Sequence, residues 1–198
     1  DLHSFPTRRS SDLRFKELFE QWNIDYRVYD VDTVEQGLEL AIDDKLDGFN
    51  VTKPFKKDII QYLDGLMPNA ERIQSVNCVK VFADTLIGEN FDCDAFRNSL
   101  CHYINNHDAW EFDFPHRMAI LGNGGVTPSI LAALHDVVDG VSSSHEITVF
   151  ARTPKDGETP IAEFDAKRFD LIVNTVPFEA GIDIDFNNKD KFIYYDLN

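Results

Sequence analysis

The stretch from Arg117 to Phe150 constrains the fold more than any other part of the chain. Arg117-Met118-Ala119-Ile120-Leu121 is a short apolar run, and Gly122-Asn123-Gly124-Gly125 is a glycine loop. Pro128 then opens a helical pattern with Ile130, Leu131, Leu134, Val137 and Val138 on one side. Residues 146–150, 170–174 and 192–195 are further apolar runs. Near-continuous apolar strands alternating with helices are buried on both faces, which means a parallel sheet covered above and below. The chain is therefore expected to be α/β.

Upstream, Phe15, Leu18, Phe19 and Trp22 recur at helical spacing, and Asn23 suits a helix stop. Tyr26 to Val31 alternates and predicts a strand. Thr33, with Gln36 three places on, predicts a capped helix carrying Val34, Leu38, Ala41 and Ile42. Gly48 to Lys56 reads as a buried strand, a turn and a helix opening at Pro54 that continues through Ile59, Ile60 and Leu63. A short helix is expected over about Pro68 to Gln74. A hairpin follows, Val76 to Phe82 and Thr85 to Ile87, turning at Ala83-Asp84. The next helix is expected over about Asp94 to Tyr103. Residues 105–115 are polar and broken and serve as a domain boundary.

Composition narrows the partners. A formal net charge of -16 argues against nucleic acid and against an anionic membrane surface. No apolar run approaches a membrane span. Three cysteines without paired spacing imply neither a disulfide framework nor a zinc site, so a reducing cytoplasm fits and no metal is expected.

The glycine loop stands between a strand and a helix start, where backbone N–H groups can approach a pyrophosphate and the helix dipole favours an anion. An ordinary tight turn would use the same glycines; the complete strand–helix–strand unit favours a dinucleotide. Asn123 and Val126 belong to that loop. After the second strand come Ala151-Arg152-Thr153. Arg152 can clamp a 2′-phosphate and Thr153 can add a hydroxyl, whereas an NAD site tends to carry an acid there. NADP is the expected cofactor; the alternative is a solvated surface arginine.

Asn50 and Thr52 alternate on one face of their strand, with Val51 on the other, so both side chains can point into one cleft. A cation at Lys56, in the first turn of the expected helix, opposes the helix dipole, which is odd for stability and reasonable for a poised lysine. A lysine held by a carboxylate such as Asp92 could give a proton to a carbonyl oxygen as hydride arrives. Taken alone, Lys56 and Asp92 are more simply two surface charges.

Residues 1–13, Asp1 to Leu13, resemble the in-frame translation of a common sequencing adapter and are read as a foreign, disordered tail. On that reading the native start lies upstream. A natural polar tail is the alternative.

Six ordered motifs carry a resemblance. Gly48 to Lys56 resembles the G-x-N-V-T-x-P-x-K signature of shikimate dehydrogenases, and Ser75-Val76-Asn77-Cys78 resembles their A-V-N-T. Gly88 to Asp92 resembles G-x-N-T-D, and Gly122 to Gly125 resembles G-x-G-G. Ala151-Arg152-Thr153 resembles N-R-T, and Asn174-Thr175-Val176-Pro177 resembles N-A-T-P. Tyr195 to Asn198 resembles the start of a late D-x-x-Y segment. The resemblance implies a truncated α/β substrate domain over 14–104, followed by a Rossmann-type NADP-binding domain over 105–198. It implies that Lys56 and Asp92 are the catalytic pair. Asn50, Thr52 and Asn77 would hold the substrate hydroxyls, and Thr175 and Val176 would join the cofactor site. The implied activity is reversible reduction of 3-dehydroshikimate to shikimate with NADPH, in aromatic amino-acid biosynthesis. The implied partner is a small molecule, and a homodimer is left open.

Departures bear on this expectation. Phe91, Cys78 and Ala95 stand where the family has Thr, Thr and Gly. His3-Ser4 suggests the family's early serine motif, but His3 lies twelve residues before Phe15, outside the family's register. That motif, and a late helix bearing a glutamine, are expected to be missing. The competing expectations are a catalytically impaired NADP-binding fragment, or an NAD-using quinate/shikimate dehydrogenase, against which Arg152 argues.

Overall fold

The computed structural model describes residues 16–83, 85–106, 115–139, 144–176 and 192–197. The expectations for the 1–13 tail, for Asp84, Pro177 and Asn198, and for most of the 105–115 boundary lie outside them. The chain divides into two compact units, residues 1–45 and 46–198.

Among its described residues the first unit holds two helices. α1 spans 16–21, and Asn23 ends it in the left-handed region at φ 56, with its N–H bonded to the Glu20 carbonyl at 3.1 Å. α2 is Val34–Asp43, capped by Thr33, whose Oγ1 accepts from the Gln36 N–H. Gln36 reaches back to the Asp32 N–H, one residue before the expected partner. The strand expected over Tyr26 to Val31 is not formed. A strand exists only as part of a ladder, and among the described residues none pairs with this stretch. Arg27 and Tyr29 instead both bond the Asp44 carboxylate.

Among its described residues the second unit contains two sheets. The first is ordered β1 (Gly48–Asn50), β3 (Cys78–Phe82), β4 (Thr85–Glu89), β2 (Gly65–Leu66). β1 and β4 run antiparallel to β3, and β2 is parallel to β4. The end of β1, the start of β3 and the end of β4 therefore meet at one edge. β1 is not the buried strand expected: Gly48 and Asn50 are exposed. Nor does Pro54 open a helix. The Phe55 N–H bonds the Thr52 carbonyl at 3.0 Å in a tight turn, and helical geometry appears only as a 3-10 segment, Asp58–Tyr62. Lys56 is thus in a turn, and no helix dipole opposes it.

α3 (Pro68–Ile73) ends at Gln74, which is left-handed at φ 55. α4 is Asp92–Asn106, longer at both ends than expected, so Asp92 opens it. The motif glycines have steric causes. A Cβ on Gly88 would stand 2.5 Å from Leu63 Cδ1 and 2.8 Å from Val76 Cγ2, and one on Gly48 would stand 2.8 Å from the Val79 carbonyl oxygen.

The second sheet is wholly parallel, ordered β7 (Thr159–Pro160), β6 (Glu146–Ala151), β5 (Arg117–Leu121), β8 (Leu171–Asn174), β9 (Ile193–Asp196). β7 is too short for periodicity to reveal. α5 (Thr127–Val138) follows β5. Alternation along β5 explains its unbroken apolar run. Met118 and Ile120 pack with Phe96, Leu100, Ile130 and Leu134 on one face, while Ala119 and Leu121 pack with Phe150, Phe169 and Ile172 on the other. Strand order reverses between β5 and β8, which opens a crevice at their carboxyl ends. Among the described residues no helix is long and apolar enough to cross a membrane.

Candidate active site

The shared edge of the first sheet gathers the expected polar residues. Asn50 ends β1 opposite Cys78, which begins β3, so Asn77 lies beside that junction. The Val51 N–H bonds the Asn77 carbonyl at 2.9 Å, and the Asn77 N–H bonds the Glu89 carbonyl at 3.0 Å. Val51 is buried while Asn50 and Thr52 are exposed, as the alternation required. The Asn77 side chain is half-buried, and its Oδ1 accepts the Phe91 N–H at 3.0 Å. This contact ties the residue to the segment that carries Asp92.

Lys56 and Asp92 meet. Nζ lies 2.7 Å from Oδ2, with the two side chains 18% and 27% exposed. Partial burial keeps the pair from being diluted by solvent while leaving it accessible. The backbone holds both ends: the Lys56 carbonyl accepts the Val76 N–H at 2.7 Å. Asp92 opens α4, where a carboxylate is favoured by the helix dipole.

Asn90, absent from the sequence-derived site, supports Asp92 from beneath. It is fully buried. Its Oδ1 accepts the Asp92 N–H at 3.1 Å and the Ser129 hydroxyl at 3.2 Å, and its Nδ2 donates to the Ser75 carbonyl at 2.9 Å. An asparagine inside a motif is a signal of this kind only once its burial is known.

The glycine loop lies at the carboxyl end of β5. Gly122 has φ 103, and a Cβ there would stand 2.6 Å from Thr175 Oγ1 and 2.9 Å from Val176 Cγ2, so only glycine fits. Thr175 faces inward: its hydroxyl donates to the Leu121 carbonyl at 2.8 Å and lies 3.4 Å from that of Thr127, which donates to the Gly122 carbonyl at 2.9 Å. These threonines hold the loop's shape. Val176 is only partly buried. Above the loop lies Lys53. A Cβ on Gly124 would stand 3.3 Å from its Nζ, and one on Gly125 3.2 Å from its Cε. A loop with glycine at three of its four positions, at a helix start, fits a dinucleotide pyrophosphate.

Arg152 and Thr153 are exposed just beyond β6, and Ala151 is buried at its end. Asn123 Nδ2 donates to the Thr153 carbonyl at 3.0 Å, joining the glycine loop to this corner. An acid from further along the chain, Glu158, also reaches this corner. Glu158 Oε2 accepts Asn123 Nδ2 and the Lys155 N–H, each at 2.8 Å. That oxygen is occupied in shaping the 152–158 turn, a task that sequence spacing did not reveal.

The family model and the curated relatives point to one family. The model of the shikimate dehydrogenase substrate binding domain matches residues 10–79. The shikimate dehydrogenase (NADP(+)) of Clostridium botulinum (strain 657 / Type Ba4) is 30% identical over 191 residues, covering 87% of this chain and 70% of the relative. That of Pelagibacter ubique (strain HTCC1062) is 33% identical over 162 residues, covering 76% of this chain and 58% of the relative. Among solved structures, shikimate dehydrogenase from Aquifex aeolicus shares the fold with a TM-score of 0.74 at 23% identity, covering 97% of this chain and 75% of that one. The Thermus thermophilus enzyme, solved in complex with NADP(H) and shikimate, gives 0.66 at 22% identity over 86% of this chain and 65% of that one.

Proposed function

Because the chain belongs to the shikimate dehydrogenase family, we propose that it catalyses the reversible, NADP-dependent reduction of 3-dehydroshikimate to shikimate. One observation carries the proposal above the others: the Lys56–Asp92 pair at 2.7 Å, set at the sheet edge that also presents Asn50, Thr52 and Asn77.

Bound NADPH would supply the hydride to the ketone carbon. Lys56 Nζ gives its proton to the ketone oxygen as that oxygen gains charge, so one hydride and one proton convert C=O to CH–OH. Asp92 fixes the ammonium, which its flexible four-carbon stem would not do alone. Asn50, Thr52 and Asn77 hold the ring hydroxyls. Gly122 to Val126 receive the pyrophosphate, and Val176, beside Thr175, borders the same crevice. Arg152 and Thr153 take the 2′-phosphate, with Ala151 and Asn123 shaping that corner. The 14–104 segment serves the substrate and 105–198 the cofactor. The free thiols of Cys78, Cys93 and Cys101 fit a reducing cytoplasm.

The test is to incubate purified protein with shikimate and NADP⁺ and follow NADPH absorbance. Shikimate-dependent NADPH formation is expected. NADPH formation with quinate but not shikimate would refute the substrate assignment.

A further inference from the structure

We propose that Lys53 is a cofactor-binding residue whose ammonium neutralises the pyrophosphate at the glycine loop, delivered from the turn that also carries Lys56. This role rests on the NADP assignment above.

Lys53 occupies a variable position of its motif, so the motif gives it no task. The fold gives it a place: its exposed side chain runs over Gly125 and Gly124, with Nζ where a Cβ on Gly124 would meet it at 3.3 Å. The loop needs such a charge. Residues 122–130 contain no basic side chain, and Pro128 removes an N–H from the first turn of α5, leaving one donor fewer for an anion. Arg152, beyond β6, is the cation for the 2′-phosphate, so two phosphate groups are served by two different cations. In a chain of net charge -16, a polyanionic ligand also meets general repulsion, which makes a local cation more consequential.

There is a structural corollary. Lys53 and Lys56 share the 53–57 turn. A pyrophosphate held by Lys53 also fixes the turn that places Lys56, so cofactor binding and proton donor are linked through three residues of backbone.

The experiment is calorimetric titration of wild type, Lys53→Met and Lys53→Arg with NADP⁺, NAD⁺ and adenosine 2′-monophosphate, which lacks a pyrophosphate. Lys53→Met is expected to bind NADP⁺ and NAD⁺ about tenfold more weakly, by a similar factor for each, as expected for loss of a charge-assisted contact. Binding of adenosine 2′-monophosphate is expected to be unchanged, and Lys53→Arg to recover most of the loss. Unchanged or tighter dinucleotide binding by Lys53→Met would overturn the proposal, tighter binding meaning that the lysine merely covers the loop. If wild type binds NADP⁺ while Lys53→Met loses nothing, Lys53 alone is misassigned. If wild type binds neither NADP⁺ nor adenosine 2′-monophosphate, the NADP assignment fails and this role with it.

Discussion

Asp92 Oδ2 receives Lys56 Nζ at 2.7 Å across 36 residues of sequence, and the backbone N–H of Asp92 is itself held by the buried side chain of Asn90. Asp92→Asn keeps the shape but removes the charge that orients the ammonium. Turnover with shikimate and NADP⁺ is expected to fall by about 10²-fold or more, with shikimate KM changing far less. Steady-state kinetics check this, with circular dichroism confirming the fold.

Arg152 is exposed just beyond β6. Arg152→Ala is expected to weaken NADP⁺ by about tenfold or more, the scale of a charge-assisted phosphate contact, and to leave NAD⁺ nearly unchanged. Titration with both cofactors checks this. Equal weakening would remove the phosphate clamp and leave Arg152 as general surface charge.

Arg72 of α3 grips Asp136 of α5 with two contacts, 2.5 and 2.9 Å. Chiefly through this hydrogen bonding, Asp136 is held below the ordinary carboxylate range, while Arg72 is raised. A carboxylate with a lowered folded value stabilises the fold above the unfolded value of about 3.9 and loses that contribution as pH falls through the folded value. Both side chains are partly exposed, 45% and 20%, so the pair is worth no more than about 1 kcal/mol. Asp136→Asn is therefore expected to lower the urea midpoint near neutral pH. The difference from wild type should shrink as pH falls below the unfolded carboxylate value of about 3.9.

Ser75 is 1% exposed, and among the described residues its hydroxyl has no hydrogen-bond partner. A buried, unpaired hydroxyl costs free energy that alanine does not incur. Ser75→Ala is expected to be neutral or to raise stability by about 1 kcal/mol, measured by urea unfolding. Its backbone carbonyl, which accepts from Asn90, is retained.

How far the sequence could be read depended on whether a feature was local. β5, α5, β6, β8 and β9 were legible because strands buried on both faces leave unbroken apolar runs, and the glycine loop because Gly122 needs a positive φ. The candidate residues Asn50, Thr52 and Asn77 stood at motif positions, and the edge that brings Asn50 beside Asn77 follows from strand pairing. Tyr26 to Val31 misled because alternation signals a strand only where a partner is present. Pro54 misled because proline suits a tight turn as well as a helix start. Lys53, Asn90 and Glu158 were not legible, since their contacts with Gly124, Ser129 and Asn123 exist only in the tertiary fold.

The most direct measurement is the rate of shikimate oxidation by NADP⁺ for wild type and Lys56→Ala, with kcat and KM determined separately. Wild type is expected to turn over, and Lys56→Ala to lose about 10²–10⁴ in kcat while shikimate KM stays within a few-fold. A Lys56→Ala protein that retains most of its turnover would contradict the assignment of Lys56 as the proton donor.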